Sequence, residues 1–142
     1  MIKTLGADVV RDEAILVARF LLVLLFLIFG WHKTINVSNT MDYFASIGLP
    51  LPGFAVVVAI VAELIFGVAI LLGVFTRPLA LLLAVYTITT ALIGHRYWTM
   101  TGGGEMNNMI HFYKNVSIVG GLTLLYITGP GKYSIDSRTN ML

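Results

Sequence analysis

A glutamate near the middle of the second long apolar segment is the first residue whose chemistry needs an explanation. Glu63 has mainly apolar neighbours, and a charged side chain at the centre of a bilayer costs about 2.5–3.5 kcal/mol on insertion scales. Small residues accompany it at four-residue spacing, namely Ala55, Ala59 and Gly67, and such a stripe lets helices approach closely in lipid. We therefore expect Glu63 to face the interior of a helix bundle. There it acts either as a paired or neutral carboxyl group that pins the bundle, or as a proton acceptor or ligand contact.

Two cations inside apolar segments are candidate partners for Glu63. Lys114 lies inside the outer end of the fourth apolar segment, and its long side chain would let the ammonium group reach toward the carboxylate. Arg19 lies about five residues inside the cytoplasmic end of the first segment, roughly 8 Å from that end at 1.5 Å per residue. A long cationic side chain at that depth can extend outward to the membrane surface, and we expect Arg19 to do so instead of pairing.

A second polar group lies on one face of the fourth segment. His111, Lys114 and Asn115 have the spacing i, i+3 and i+4, which places them on the same side of a helix. Imidazole, ammonium and amide groups are costly inside a membrane, so we expect a buried site there. The sequence thus predicts a cationic funnel that narrows toward Glu63.

Further polar side chains lie near the outer ends of the predicted helices, where an ordinary contact with lipid headgroups is the simpler interpretation for each histidine and cation. These secondary candidates are His32, Lys33, His95, Arg96, Asn107 and Asn108.

The composition excludes several kinds of chemistry. The chain has no cysteine, so it cannot supply a thiolate nucleophile, a disulfide or a cysteine-bound metal centre. Its three histidines include no pair at one-turn spacing, and we predict no metal site. The cations are scattered and the net charge is only +2, which does not favour nucleic-acid binding. A redox role would therefore need a bound cofactor or a partner protein.

The elements that must position these residues are membrane helices. The chain is 58% hydrophobic and 11% charged, with a mean hydropathy of +0.90, whereas soluble domains average about 45–50% and 25%. We expect the first apolar segment to be a retained span and not a cleaved signal. We predict an all-α, four-helix transmembrane bundle over residues 14–131, with cytoplasmic ends at 1–13 and 132–142. Segments with the roughly 20 apolar residues that a bilayer requires are 14–31, 53–75, 78–94 and 109–128.

The distribution of Lys and Arg predicts the orientation in the membrane. The side that bears both termini and the turn between the second and third spans holds five such residues, whereas the opposite side holds Lys33 and Arg96. Because cytoplasmic connections carry the excess of cations, we expect both termini in the cytoplasm. The five are Lys3, Arg11, Arg77, Lys132 and Arg138.

The first outer connection is expected to contain a short helix lying in the membrane interface. Met41, Phe44, Ala45 and Ile47 fall on about one helical face, as is typical of an interfacial helix. A turn rich in glycine and proline follows at residues 48–52.

These features together resemble the DoxX family of small bacterial inner-membrane proteins, and the resemblance extends over nearly the whole chain. It is carried by Arg19, Phe26, Gly30, Lys33, Gly48, Pro50, Pro52, Glu63, Gly73, Thr76, Arg77, Lys114, Asn115, Gly120, Gly121, Gly129, Pro130, Gly131, Ser134 and Asp136.

The resemblance implies a four-helix protein that serves as an oxidoreductase component, in some relatives the membrane subunit of a thiosulfate:quinone oxidoreductase. The thiosulfate activity is not carried over, because this chain has no cysteine. Three hypotheses remain open: a quinone-binding or redox-associated subunit, a membrane scaffold without catalysis, and a small proton-coupled transporter. A quinone, a redox protein or a second copy of the chain are the partners to test, besides the lipid bilayer itself.

Overall fold

A computed structural model describes residue 6 and residues 8–139. Lys3, one of the cations counted for orientation, and the end of the predicted C-terminal tail lie outside these residues. The described chain consists of helices and connections, without strands. The helices are α1 (Arg11–Ile35), α2 (Val37–Ser46), α3 (Pro52–Ile60), α4 (Phe66–Leu72), α5 (Thr76–Gly94), α6 (Gly103–Thr128) and α7 (Ile135–Thr139).

Three helical stretches of the described chain are long and apolar enough to cross a membrane: Arg11–Ile35, Pro52–Leu72 and Thr76–Thr99. The second is continuous, because a π-helical turn over Val61–Ile65 joins α3 to α4. Helix α6 has 26 residues and would be about 39 Å long at 1.5 Å per residue. It is less apolar than the other three because its first half carries polar side chains, so a fourth membrane crossing remains a prediction.

The long helices pack through apolar side chains that point between them. Val23 and Phe26 of α1, Ile70 of α4, Leu83 of α5 and Leu122 of α6 are all buried in one cluster. Helix α6 packs mainly against α5, whereas α1 packs against α4 and the π turn. Most other large apolar side chains of these helices face outward, as expected for a protein whose surroundings are lipid tails.

The connection between the first and second apolar stretches contains the helix expected there. Helix α2 covers Val37–Ser46 and packs against α3. Pro52 begins α3, at the position where its missing N–H and fixed φ favour a helix start. The location of α2 in a membrane interface stays a prediction.

Arg19 does not pair with Glu63, as expected, and its side chain reaches the segment that follows α6; the location of that segment at the membrane surface stays a prediction. Its guanidinium donates hydrogen bonds to the carbonyl oxygens of Pro130 and Tyr133, at 2.6 and 2.7 Å, and only 2% of the residue is exposed. The reason is that the chain beyond α6 folds back against α1 and presents carbonyl oxygens to this side chain. We call Arg19 and residues 129–139 the C-terminal clasp.

The C-terminal clasp also holds the start of α5. Both carboxylate oxygens of Asp136 accept backbone N–H bonds, from Phe75 at 2.8 Å and Thr76 at 2.9 Å. These N–H groups have no partner within α5 because they precede its first full turn. An acidic side chain is also favoured there by the helix dipole.

The beginning of α1 contributes two further bonds to the C-terminal clasp. Asp12 accepts the Lys132 N–H at 3.0 Å, and Glu13 accepts the Tyr133 hydroxyl at 2.9 Å. The bond to Glu13 raises the pKa of Tyr133 above its usual value, because the neutral phenol donates to the carboxylate. The clasp therefore ties both ends of the described chain to the same end of the bundle.

Candidate ligand-binding site

Glu63 lies inside the bundle, at the centre of the π-helical turn Val61–Ile65. Only 8% of the residue is exposed, so the structure confirms that this glutamate faces inward. A π turn holds one more residue than an α-helical turn and is often found at functional sites.

Lys33 of α1 forms an ion pair with Glu63. The distance from Lys33 Nζ to Glu63 Oε2 is 2.7 Å, and the ammonium group also lies 5.7 Å from the centre of the Phe29 ring. The expectation that Lys33 merely contacts headgroups is therefore wrong. Lys33 lies in the last turn of α1, and its flexible side chain turns inward because a buried carboxylate is within reach.

Gly30 explains how α1 comes close enough for this ion pair. A Cβ atom added at Gly30 would lie 2.9 Å from the Leu64 backbone nitrogen and 3.0 Å from the Glu63 Cβ. Only glycine therefore allows α1 to pack directly on the π turn. Gly30 and Lys33 are three residues apart, on the same face of α1, so the close approach also directs Lys33 toward Glu63.

Tyr86 of α5 is the second partner of Glu63, and the sequence analysis did not identify it. Its hydroxyl donates a 2.6 Å hydrogen bond to Glu63 Oε1. The carboxylate thus accepts a bond from an ammonium group on one oxygen and from a phenol on the other. Charge-assisted bonds of this kind are the strong ones in proteins. We call Lys33, Glu63 and Tyr86 the Glu63 triad.

Neither partner proposed from the sequence contacts Glu63. Arg19 is engaged in the C-terminal clasp, and the hydrogen bonds of Glu63 go to Lys33 and Tyr86. Lys114 shares a cavity with Glu63 without bonding to it. Lys114 is exposed, and His111 and Asn115 are only partly buried, so the expectation of a buried site on this face of α6 is wrong for Lys114.

One cavity brings the triad together with the polar face of α6. Its volume is about 610 Å³, and its walls come mainly from apolar side chains of α1, α2, α3 and α5. Helix α2 contributes Phe44, and α3 contributes Phe54. Polar side chains of the Glu63 triad and of the α5–α6 end of the bundle line this one cavity. They are Lys33, Glu63, Tyr86, His95, His111, Lys114 and Asn115.

The two histidines of the cavity are stacked on each other. The ring centres of His95 and His111 are 5.1 Å apart with an interplanar angle of 23°. His95 Nδ1 lies 3.2 Å from the side-chain oxygen of Asn108, and the Asn108 amide donates to the Gly104 carbonyl at 3.0 Å. His95 therefore belongs to the cavity wall, not to a separate headgroup contact, because it closes the end of α5 against α6.

The remaining secondary candidates lie apart from this cavity. His32 and Arg96 are exposed, and neither side chain is among those that line it. Asn107 is likewise exposed. No group of three or more potential metal ligands of the His, Cys, Asp or Glu type occurs among the residues that the structure describes.

The arrangement defines an α-helical membrane protein with a partly open, mostly apolar cavity that is lined by a few polar groups. The DoxX family model matches residues 14–96, a range that includes the Glu63 triad and ends at Arg96. The chain is 50% identical over 128 residues to the inner membrane protein YphA of Escherichia coli (strain K12). The aligned residues cover 90% of the chain and 91% of YphA. It is 41% identical over 130 residues to the inner membrane protein YqjF of the same organism, at 92% and 95% coverage. The chain belongs to the DoxX family and is an inner membrane protein, as the sequence features predicted.

A more distant similarity links the chain to a eukaryotic protein. The ER-derived vesicles protein ERV29 of Saccharomyces cerevisiae is 27% identical over 131 residues, which are 92% of this chain and 35% of ERV29. No solved structure matches the chain.

Proposed function

We propose that the protein is a redox-associated membrane subunit that binds a quinone in the cavity described above. The observation that carries this proposal is the combination of apolar walls with polar donors from two sides in a space of about 610 Å³. Small-molecule sites typically have volumes of about 300–1,000 Å³ and a small number of placed polar groups. A quinone has the matching chemistry, because its two carbonyl oxygens accept hydrogen bonds and its tail is apolar.

The donors suited to the headgroup lie on α6. Lys114, His111 and the Asn115 amide line the cavity, and each can donate to a carbonyl oxygen. The aromatic side chains of Phe29, Phe44 and Tyr43 offer an apolar surface for the tail. In this proposal the chain binds and orients the quinone, and a separate redox protein exchanges electrons with it.

The membrane topology forms part of the proposal. We infer four crossings, with α6 as the fourth, both termini in the cytoplasm and the cavity nearer the outer side. The ion pair of Lys33 with Glu63 supports the orientation predicted from the distribution of Lys and Arg, because Lys33 then no longer counts as a free cation of the outer side. Since the chain has no cysteine, a single introduced cysteine is a unique label. Ser38→Cys should react with a membrane-impermeant maleimide in intact cells, whereas Ser137→Cys should react only after lysis.

Quinone binding is tested directly with the purified protein in lipid nanodiscs. A short-tailed ubiquinone analogue should bind saturably to the wild-type protein. Asn115→Leu removes one donor at similar volume and should weaken binding by about tenfold, the equivalent of one hydrogen bond of about 1.4 kcal/mol. Arg96→Met is the matched control, because Arg96 is exposed and lies outside the cavity lining. Absence of saturable binding to the wild-type protein would rule out the proposal.

A structural role is the second candidate, and the Glu63 triad favours it. The triad joins α1, the π turn and α5 through two hydrogen bonds to one carboxylate, as a device that only stabilises the bundle would. In that case Glu63→Gln should destabilise the protein, and no quinone should bind to either form. Saturable binding of the quinone analogue to the folded wild-type protein would support the first function, and its absence would support the structural role.

A further inference from the structure

The charges that line the cavity do not cancel. Its ionisable lining consists of two lysines, one glutamate, two histidines and two tyrosines, so with neutral histidines and tyrosines the lining carries a charge of +1. Glu63 is its one acidic side chain within the described part of the chain, and both of its carboxylate oxygens are already engaged. The carboxylate therefore neutralises Lys33 and leaves Lys114 without a counter-charge.

The geometry around Lys114 is suited to an anion. His111 precedes Lys114 by three residues, about one helical turn, and Asn115 directly follows it. Both residues line the cavity together with Lys114. Across residues 8–139 no acidic group lies within ion-pair distance of Lys114. This face of α6 thus offers an ammonium group and neutral donors, while Glu63, the only carboxylate among the described residues that line the cavity, has its partners elsewhere.

Lys114 is itself exposed, so its ammonium group is not enclosed by the cavity, whose walls are mostly apolar. An amphipathic anion can therefore pair its charged group with Lys114 while its apolar tail lies along those walls. A neutral ligand would leave this charge uncompensated.

We propose that the preferred ligand of the cavity is a lipid-soluble acid, with an apolar tail and one ionised carboxylate or phenolate that pairs with Lys114. This inference rests on the cavity of the proposed function and specifies the chemical class of its ligand. A quinol that has lost one hydroxyl proton belongs to the same class.

The test compares probe molecules that share a tail and differ in charge. Wild-type protein in phosphatidylcholine nanodiscs is titrated with dodecanoate, dodecanol and dodecylamine, and binding is followed by displacement of a fluorescent fatty acid. Dodecanoate should bind up to about fivefold more tightly than dodecanol, as expected for an exposed ion pair of up to about 1 kcal/mol. Dodecylamine should bind more weakly than either.

Two variants assign the preference to Lys114. Lys114→Met should remove the preference for dodecanoate over dodecanol, and Lys114→Arg should retain it. Arg96→Met makes the same charge change at an exposed position outside the cavity lining and should leave the preference intact. Each variant is first checked for wild-type helicity and a monodisperse elution profile. If Lys114→Met does not fold, Lys114→Gln, which also lacks the positive charge, takes its place and should likewise lose the preference.

The outcomes separate this inference from the proposed function. Equal binding of dodecanoate and dodecanol by wild-type protein would overturn the inference, even if the quinone analogue binds. A preference that persists in Lys114→Met would overturn the role of Lys114. Failure of the quinone analogue together with retained dodecanoate binding would overturn the proposed function alone.

A final arm identifies the source of the acid. The titration is repeated in nanodiscs that contain phosphatidylglycerol, whose headgroup carries the same single negative charge. A loss of dodecanoate binding there that Lys114→Met does not show would mean that anionic membrane lipid competes at Lys114, because the negative surface potential of the lipid acts on both proteins alike. An equal loss in both proteins would indicate a free acid. Either result is compatible with an anionic ligand at Lys114.

Discussion

Replacing Glu63 by glutamine should be among the most destabilising conservative changes in this protein. The carboxylate lies 2.7 Å from Lys33 Nζ and 2.6 Å from the Tyr86 hydroxyl, and the two side chains of the ion pair are 18% and 10% exposed. Glutamine can still accept the Tyr86 bond, but it leaves the ammonium group without its counter-charge. Breaking one partner of a buried pair costs about 3–5 kcal/mol, and the partial exposure of Lys33 lowers our expectation to about 2–3 kcal/mol.

A double-mutant cycle isolates the ion pair from other effects of the substitutions. Glu63→Gln and Lys33→Met should each destabilise the protein, and the double variant should be more stable than the sum predicts, by about 2 kcal/mol. Tyr86→Phe removes only one hydrogen bond and should cost about 1 kcal/mol, since hydrogen bonds between membrane helices contribute about 0.6 kcal/mol on average and about 1.7 kcal/mol at most. The expected order of destabilisation is therefore Glu63→Gln above Tyr86→Phe.

The measurement is reversible unfolding in mixed micelles, in which the fraction of the denaturing detergent is raised and helicity is followed by circular dichroism. Arg96→Met serves as a control for the loss of one positive charge, because Arg96 is exposed. Purely additive effects of Glu63→Gln and Lys33→Met would refute the reasoning, since independent costs mean that the two groups do not interact in the folded protein.

Three further predictions concern how the helices are held together. Gly30→Val should destabilise the protein by about 2 kcal/mol or more, because a Cβ there would lie 2.9 Å from a backbone nitrogen of the π turn. Gly120→Val, where a Cβ meets open space, is the control in the same unfolding assay. Arg19→Met should make the C-terminal clasp sensitive to trypsin by removing two hydrogen bonds, whereas Arg11→Met should not. The folded-state pKa of Tyr133 is raised above its usual value of about 10. Its bond to Glu13 should therefore be fully present below pH 10 and lost as the pH rises through the folded-state pKa. Proteolysis of the clasp across that pH range should show this loss, and Tyr133→Phe should abolish the pH dependence.

The helices could largely be predicted because their signal is local. Hydropathy alone located the apolar stretches that became α1, α3 with α4, and α5. The π turn had no such signal, since the residues around Glu63 are apolar on all sides and one additional residue in a turn leaves no trace in that pattern. The lower hydropathy of α6 follows from His111, Lys114 and Asn115, the same residues that suggested a site. The polar face thus weakens the evidence for a membrane span where it strengthens the evidence for a binding site.

The contacts of Glu63 depended on information that is not local. Lys33 is 30 residues away in sequence and Tyr86 is 23 residues away, so their meeting depends on how three helices are rotated against one another. Two signals were nevertheless present. Gly30 precedes Lys33 by three residues and marks a close approach on that face. Tyr86 lies in the middle of a span, away from both interfaces, where its hydroxyl needs a buried partner.

The two ends of the bundle use polar residues in opposite ways. At the end of the bundle that holds the C-terminal clasp, Arg19 and Asp136 bind backbone groups that would otherwise lack partners. Their polar groups therefore stabilise the fold. At the other end, His111, Lys114 and Asn115 line a cavity and form no hydrogen bond with other residues of the described chain through their side chains. Polar groups that complete a fold can be exchanged only at a cost in stability, whereas groups left available can change without that cost. Substitutions in the clasp should therefore affect folding first, and substitutions on the α6 face should affect ligand binding while the bundle remains intact.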